Sequence, residues 1–222
     1  MIPKVVHYCW FGNGKKPAEF NRYFETWRRI LPDYEFKEWN ERNFDVNCCA
    51  YSREAYATRN YAHVSDVCRI NALYAEGGIY LDTDIELLKT FDDYLHHKSF
   101  VGLESDLIGT GVIGSEAGAK WLKALLDYYD RTHFINIWGH TVRTPNTKIL
   151  TRRVMPLVPE DDRPEIYPVD VFCGMDITTG KPAVTPRTVA VHHYLDSWKR
   201  KPKTLRQKIA ALLHGARIRY FG

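Results

Sequence analysis

Apolar positions along the chain switch between helical and strand spacing several times, most sharply between Tyr61 and Glu86, YAHVSDVCRINALYAEGGIYLDTDIE. Val64, Val67, Ile70, Asn71 and Tyr74 recur near helical spacing, and Gly77-Gly78 supply the break that ends a helix. Ile79, Tyr80 and Leu81 are β-prone and predict a short buried strand, with Leu87–Lys89 continuing it. Side chains alternate along a strand, so Asp82 and Asp84 are expected on one side at its C-terminal end. Upstream, residues 2–12 predict a first strand (Val5, Val6, Tyr8, Trp10), Lys15 to Leu31 a helix ended by Pro32-Asp33, and Tyr34–Trp39 a half-exposed strand. A short helix is expected around Arg53–Thr58. Downstream, the pattern gives a short helix at Phe91–His97, a strand at Ser99–Glu104 and a flexible Gly-rich loop at Leu107–Gly114. Helices follow at Lys120–Tyr129 and Lys148–Val158, with strands at Ile166–Phe172 and Thr188–His193 and an irregular stretch over Phe134–Asn146. This interleaving predicts an α/β fold, a mixed sheet flanked by helices in a single domain.

Composition changes that picture little: 222 residues at 45% hydrophobic and 26% charged suffice for one full core. No run of 18 apolar residues occurs, and the N-terminal MIPKVVHYCWFG lacks a basic segment with a cleavage site. The five cysteines (Cys9, Cys48, Cys49, Cys68, Cys173) are odd in number and contain no CxxC, which fits reduced thiols. A cytoplasmic protein is the expectation. Charge adds an asymmetry. Eight of the 31 Lys and Arg, and none of the 27 acids, fall in Lys199–Gly222, so residues 1–198 carry a net −4 beneath an overall +4. The tail begins as a Lys/Pro linker and then places Leu205, Ile209, Leu212 and Leu213 at helical spacing. Residues 1–198 therefore read as the folded body, one domain. Residues 199–222 read as a basic amphipathic tail, suited to an anionic membrane surface or to packing on the domain. Nucleic-acid binding is disfavoured by the acidic body.

Two carboxylates converging at a strand end repel unless a cation lies between them, and ligands of open α/β sheets bind at that end. Asp82 and Asp84 therefore predict a divalent metal that carries a phosphorylated ligand. Asp66 and Arg69, three apart on the preceding helix, read either as an ordinary ion pair or as a carboxylate and a guanidinium fork for sugar hydroxyls. His192-His193, in HHYLDSW, offers one metal ligand, since adjacent strand residues point opposite ways. Trp10, at the end of the first strand, reads as a base-stacking ring or as core.

Together, IPKVVHYCW, YAHVSDVCRINALYAEGGIYLDTDIE and HHYLDSW resemble glycosyltransferase family 32, in the expected order across residues 2–198. The pattern SDxxRxxxLYxxGGxYLDxD is highly specific. The resemblance implies a GT-A fold, a nucleotide-sugar donor (UDP-hexose favoured, GDP-mannose the other choice), Mn²⁺ or Mg²⁺, and retention of anomeric configuration. It further implies a glycan acceptor, lipid-linked in the manner of capsule or lipopolysaccharide assembly. Carried over by position, Trp10 stacks on the base and Ser65 lies near the nucleoside, with His7, Tyr8 and Tyr80 completing the donor site. Asp66 and Arg69 hold the sugar hydroxyls, Asp82 touches ribose and sugar, and Asp84 binds metal. His193 is the preferred third ligand with His192 in reserve, and Ser197 and Trp198 close over the diphosphate. Asn146 is a candidate for the side chain beside the anomeric carbon.

Two alternatives stand beside this one. A haloacid-dehalogenase-type phosphatase would use Asp82 as nucleophile and Asp84 as acid/base, but its motif usually opens the chain and needs a downstream Lys and acidic pair. Asp161-Asp162 sits in a Pro-rich stretch with no strand before it. A non-catalytic, metal-dependent carbohydrate-binding protein would keep the same acids without turnover.

Overall fold

A computed structural model describes residues 1–176, 179–195 and 205–221, with side chains of the last helix described over 209–220. Strand β1 (Val5–Cys9) leads through helix α1 (Ala18–Ile30) to β2 (Glu35–Trp39), then α2 (Ala50–Ala57), α3 (Tyr61–Glu76) and β3 (Gly78–Leu81). β4 (Ile85–Leu87), β5 (Ser99–Glu104), β6 (Leu107–Ser115) and α4 (Lys120–Asp130) follow. Next come α5 (Asn146–Ile149), β7 (Glu165–Tyr167), α6 (Val169–Phe172), the small hairpin β8 (Met175–Asp176) and β9 (Lys181–Pro182), β10 (Ala190–His192) and α7 (Leu205–Phe221).

Six strands form one mixed sheet in the order β2-β1-β3-β6-β5-β7. β1 runs parallel to β2 and β3, β6 runs antiparallel to β3 and β5, and β7 is parallel to β5. Because helices cover both faces, the central strands are apolar on both sides, as the run GIYL in β3 requires. Alternation divides them. Val6, Tyr8, Ile79 and Leu81 join the core beneath α1, and Cys9 and Tyr80 join the core beneath α3 and α4. The Gly77-Gly78 turn holds φ of 68° and 106°, and a Cβ on Gly78 would lie 2.6 Å from the Val5 carbonyl oxygen, so this tight reversal into β3 accepts only glycine.

The expected flexible loop at Leu107–Gly114 is instead part of β6, a buried central strand. Its glycines misled because they are there for close packing: a Cβ on Gly114 would fall 2.2 Å from the Phe100 ring. Leu87–Lys89 does not extend β3. β4 is a separate strand that pairs antiparallel with β10 outside the main sheet. The expected strand at Ile166–Phe172 divides into β7 and the short α6, and Phe91–His97 shortens to a 3₁₀ turn at Asp92–Tyr94. Helix over Lys148–Val158 is present, but as an α–π–3₁₀ succession from Asn146 to Leu157.

The tail is helical from Leu205 and lies against the domain. Ile218 is buried in the core beneath α3, and the Arg219 guanidinium reaches the fully buried Glu54 carboxylate at 3.8 Å and also contacts His133. The Tyr220 hydroxyl donates to the Ile137 carbonyl. The apolar face expected at Ile209, Leu212 and Leu213 is therefore not the one that is buried: Ile209 and Leu213 are 54% and 67% exposed.

Candidate functional site

Chain direction brings the C-terminal ends of β1 and β3 together, and the turn after β3 carries the two aspartates. Asp82 and Asp84 do not sit on a strand as alternation alone suggests. Asp82 leaves β3, its backbone N–H still donating to the Gly111 carbonyl of β6 (2.8 Å), and the chain turns so that the Ile85 N–H donates to the Asp82 carbonyl (3.1 Å). The turn, rather than the pleat, makes the carboxylates converge.

Behind Asp82 stands Arg69, held on α3 and only 5% exposed. Its Nη1 lies 3.1 Å from Asp82 Oδ1 and donates to the Thr110 carbonyl (2.7 Å), while Nη2 lies 3.1 Å from Asp66 Oδ1. The guanidinium also stacks 4.5 Å from the centre of the Tyr80 ring, and the Tyr80 hydroxyl donates to Asp82 Oδ1 (2.9 Å). Burial opposes charge on Arg69, but Asp82 foremost, with Tyr80 and Asp66, leaves its pKa well above the ordinary value. Burial pushes the Asp82 carboxyl up, against the pull of Arg69. Asp66 is 7% exposed and also takes the Asn146 amide (3.3 Å) and an approach from His63 Nδ1 (3.4 Å). Asn146 is fixed from behind by the Tyr129 hydroxyl at 3.0 Å. Asp66, Arg69, Asp82 and Asn146 thus form one buried polar network.

On the other side, β10 pairs with β4 and delivers His192, not His193. His192 Nε2 lies 3.2 Å from Asp84 Oδ1, and its Nδ1 lies 3.5 Å from Glu104 Oε1. Its ring stacks on Tyr194 at 4.0 Å. Burial works against its charge, but Asp84 and Glu104 hold its pKa well above the ordinary value. Burial likewise disfavours the Asp84 carboxylate, and His192 outweighs that and lowers it. His193 turns away: its Nε2 pairs with Glu86 (2.8 Å) and its ring stacks on Tyr23 at 4.5 Å. Alternation along β10 allowed either histidine, and the β10–β4 register, opposing His192 to Ile85, chose between them.

Ligand atoms of Asp82, Asp84 and His192 all lie within 4.8 Å of one another. Three carboxylates, counting Glu104, surround one imidazole. Gly111 keeps the space between them open, since a Cβ there would stand 3.1 Å from His192 and 3.2 Å from Asp82. A set of hard oxygens plus one imidazole, with negative charge in excess, fits Mn²⁺ well and Mg²⁺ less well. Glu104 was missed in the sequence because it lies at the end of an unremarkable strand, 22 and 20 residues beyond the aspartates, and only the β5–β6 pairing brings it to His192. With its hydrogen-bonding carboxylate neutralised, as in Glu104→Gln, Mn²⁺ affinity measured by calorimetry should fall by roughly 10- to 100-fold. Unchanged affinity would mean that Glu104 does not orient the imidazole.

The other residues expected at the donor divide between the core and half-buried positions. His7 is fully buried, donating from Nε2 to the Gly77 carbonyl (2.8 Å) and accepting from Trp39 at Nδ1 (3.0 Å), so it braces the Gly-Gly turn. Tyr8 is 7% exposed, packs among Phe20, Phe24 and Trp27, and donates to Glu38. Both are core residues. Tyr80 positions Asp82 and Arg69 from within the core, 1% exposed. Ser65 is half-buried and donates to the Tyr61 carbonyl (3.2 Å). Trp10 is half-buried just past β1, its indole N–H donating to the Gly14 carbonyl (2.7 Å). Ser197 and Trp198 lie outside the described residues. The phosphatase alternative lacks its acidic pair here: Asp161 and Asp162 lie in a 3₁₀ turn where Asp162 pairs with Lys120 at 3.1 Å.

Residues 17–101 match the family model described as a glycosyltransferase sugar-binding region containing a DXD motif. Among curated relatives, inositol phosphoceramide mannosyltransferase 3 of Schizosaccharomyces pombe is 31% identical over 126 residues, 54% of this chain and 35% of that protein. An uncharacterized glycosyltransferase, L373, of Acanthamoeba polyphaga mimivirus is 26% identical over 158 residues, 67% of this chain and 63% of its own length. The chain thus spans about a third of the first relative and somewhat under two thirds of the second. A solved glycosyltransferase involved in glycosylation of the major capsid of PBCV-1 superposes with a TM-score of 0.53 at 13% identity, covering 96% of this chain and 99% of that one. The expected GT-A type of fold is borne out, and the expected likeness to DXD-containing sugar transferases extends over residues 17–101.

Proposed function

Because the chain carries a DXD-type sugar-binding region, we propose that it transfers a hexose from a nucleotide-sugar to a glycan acceptor, with a divalent cation held by Asp82, Asp84 and His192. The observation that carries this reading is the convergence of two carboxylates and an imidazole beside a buried Asp66–Arg69 pair at the end of β3. A bound Mn²⁺ or Mg²⁺ would supply neutralisation of the diphosphate that leaves. The chain does the rest. Asp66 is aimed by Arg69 and Asn146 and accepts from sugar hydroxyls, while Arg69 holds both neighbouring carboxylates in place. Burial of this network means its geometry is set before substrate arrives, so little reorganisation remains at the moment of transfer. With retention of configuration, departure and attack on one face suffice: the anomeric carbon–phosphate bond breaks, the acceptor oxygen bonds to that carbon, and the departing phosphate oxygen takes the acceptor's proton. A trapped glycosyl–aspartate adduct would overturn that route. The test of the whole reading is a screen of UDP-glucose, UDP-galactose, UDP-hexosamines and GDP-mannose with Mn²⁺, following nucleoside diphosphate release; silence with every donor would dismiss it.

The acceptor is proposed to be lipid-linked, as in capsule or lipopolysaccharide assembly, with α7 resting on an anionic membrane face. Support comes from the exposed Ile209 and Leu213 on a helix whose neighbour Arg217 is also exposed. Ile209→Glu with Leu213→Glu leaves the buried Ile218 and the half-buried Arg219 untouched, so the fold should persist while co-sedimentation with phosphatidylglycerol vesicles drops. Undiminished co-sedimentation would remove α7 from the membrane.

A further inference from the structure

Away from the aspartates, a cleft of about 480 Å³ opens between the α2–α3 turn, the segment 139–143 and α7. Its volume is in the range of small-molecule sites. Arg59, His140, Arg143 and His214 line it, and no acidic residue does among the described residues. The remaining lining is small or neutral, including Thr58, Asn60 and Thr141. Residues 1–198 are acidic overall, so two arginines from separate segments facing one cleft, with no acid in its described lining, are a local reversal of charge. The N-terminus of α3, a 16-residue helix, opens at Asn60 on the same cleft and adds its positive dipole end. Arg59 is held in the left-handed region (φ 58°), which turns the chain between α2 and α3.

The cleft is tied to the candidate site at two points. Asn60 and Asp66 lie on one helix, about 9 Å apart along its axis at 1.5 Å per residue. The segment that supplies His140 and Arg143 continues into Asn146, whose amide donates to Asp66. A ligand seated between Arg59 and Arg143 is therefore within the length of a sugar or two of the carboxylate proposed to hold the donor hexose.

We propose that this cleft binds the phosphate-bearing part of the acceptor, an inference that rests on the sugar-transferase reading above. Guanidiniums suit phosphate oxygens because each has five N–H donors, enough to take a phosphate beside the interaction that Arg59 already makes, and imidazoles add further donors at the rim. Exposed apolar residues flank it on two of its walls: Ile137 and Trp138 (58% and 68% exposed) before Gly139, and Leu213 (67%) on α7. A phosphate with an apolar extension would satisfy both surfaces.

The test is made without donor and in EDTA, so it does not depend on the metal or on turnover. Inorganic pyrophosphate is titrated into the full chain by calorimetry. Arg59→Gln with Arg143→Gln should weaken binding by about tenfold or more, whereas Asp84→Asn should leave it unchanged. Both arginines are exposed, so an unaltered melting temperature is expected to certify the fold of the double variant. Phosphatidylcholine vesicles with and without phosphatidic acid identify the source of the phosphate. Retention on phosphatidic acid that the double variant loses assigns a lipid phosphate, and pyrophosphate binding without vesicle retention assigns a soluble phosphorylated glycan. No pyrophosphate binding by the wild type, or binding indifferent to the two arginines, overturns the proposal and leaves the donor screen standing as a separate question.

Discussion

Asp84→Asn should lower nucleoside diphosphate release from a nucleotide-sugar in Mn²⁺ by on the order of 10³, since a metal contributes several kcal/mol of charge stabilisation and each 1.36 kcal/mol is a factor of ten. The substitution keeps the shape and the acceptor of the Leu195 N–H (3.0 Å in the native chain) while removing the charge beside His192. The cost in folding should be small. Asp84 loses its pairing with His192, which keeps Glu104 as a partner, and neutralising one acid beside Asp82 relieves repulsion in the ion-free protein. The informative pair of measurements is a rate and a melting temperature: a rate within tenfold of the wild type would dismiss the cation site, and an unchanged melt beside a lost rate would place the loss in chemistry.

Arg69→Met should act in the opposite manner, through stability first. Arg69 is the counter-charge for Asp66 and Asp82, two carboxylates of which the first is 7% exposed. Removing one partner of a buried ion pair typically costs about 3–5 kcal/mol, because the other charges stay behind unpaired. For a chain of this size that corresponds to a fall of roughly 6–20 °C in melting temperature. Methionine fills the space of the stem, so the loss reads as charge and not as a void. Adding Asp82→Asn to Arg69→Met should restore part of the stability, the signature of coupled neighbours. A single variant that melts within about 2 °C of the wild type would show that the network is not what holds β3 to α3.

Much of the fold was legible, and for particular reasons. Helix α3, the Gly77-Gly78 break and strand β3 could be read from sequence because each obeys a local rule: helical period, positive φ and an apolar run. β5 was read to the residue, Ser99–Glu104. β6 was not, because its glycines look like loop residues until the Phe100 ring that occupies their missing side chains is known. The tail helix was recognised by period, but the side it buries was not. Ile218 and Arg219 enter the core only because Glu54, distant in sequence, lies fully buried and requires partners there.

The site divides in the same way. Sequence alone determined that two acids one residue apart follow a buried strand, that Asp66 and Arg69 share a helix with them in reach, and that one histidine of an adjacent pair is available. These are consequences of short-range geometry, which a chain carries wherever it goes. Which histidine, which further carboxylate and which glycine complete the site depended on the β10–β4 and β5–β6 registers, and a one-residue slip in either would exchange faces. His7 and Tyr8 show the converse: the family resemblance made them candidates, and packing from both faces of the sheet makes them core. Pairings between residues far apart in the chain carry no local signal, because what selects them is the burial of the whole sheet between its two helical layers.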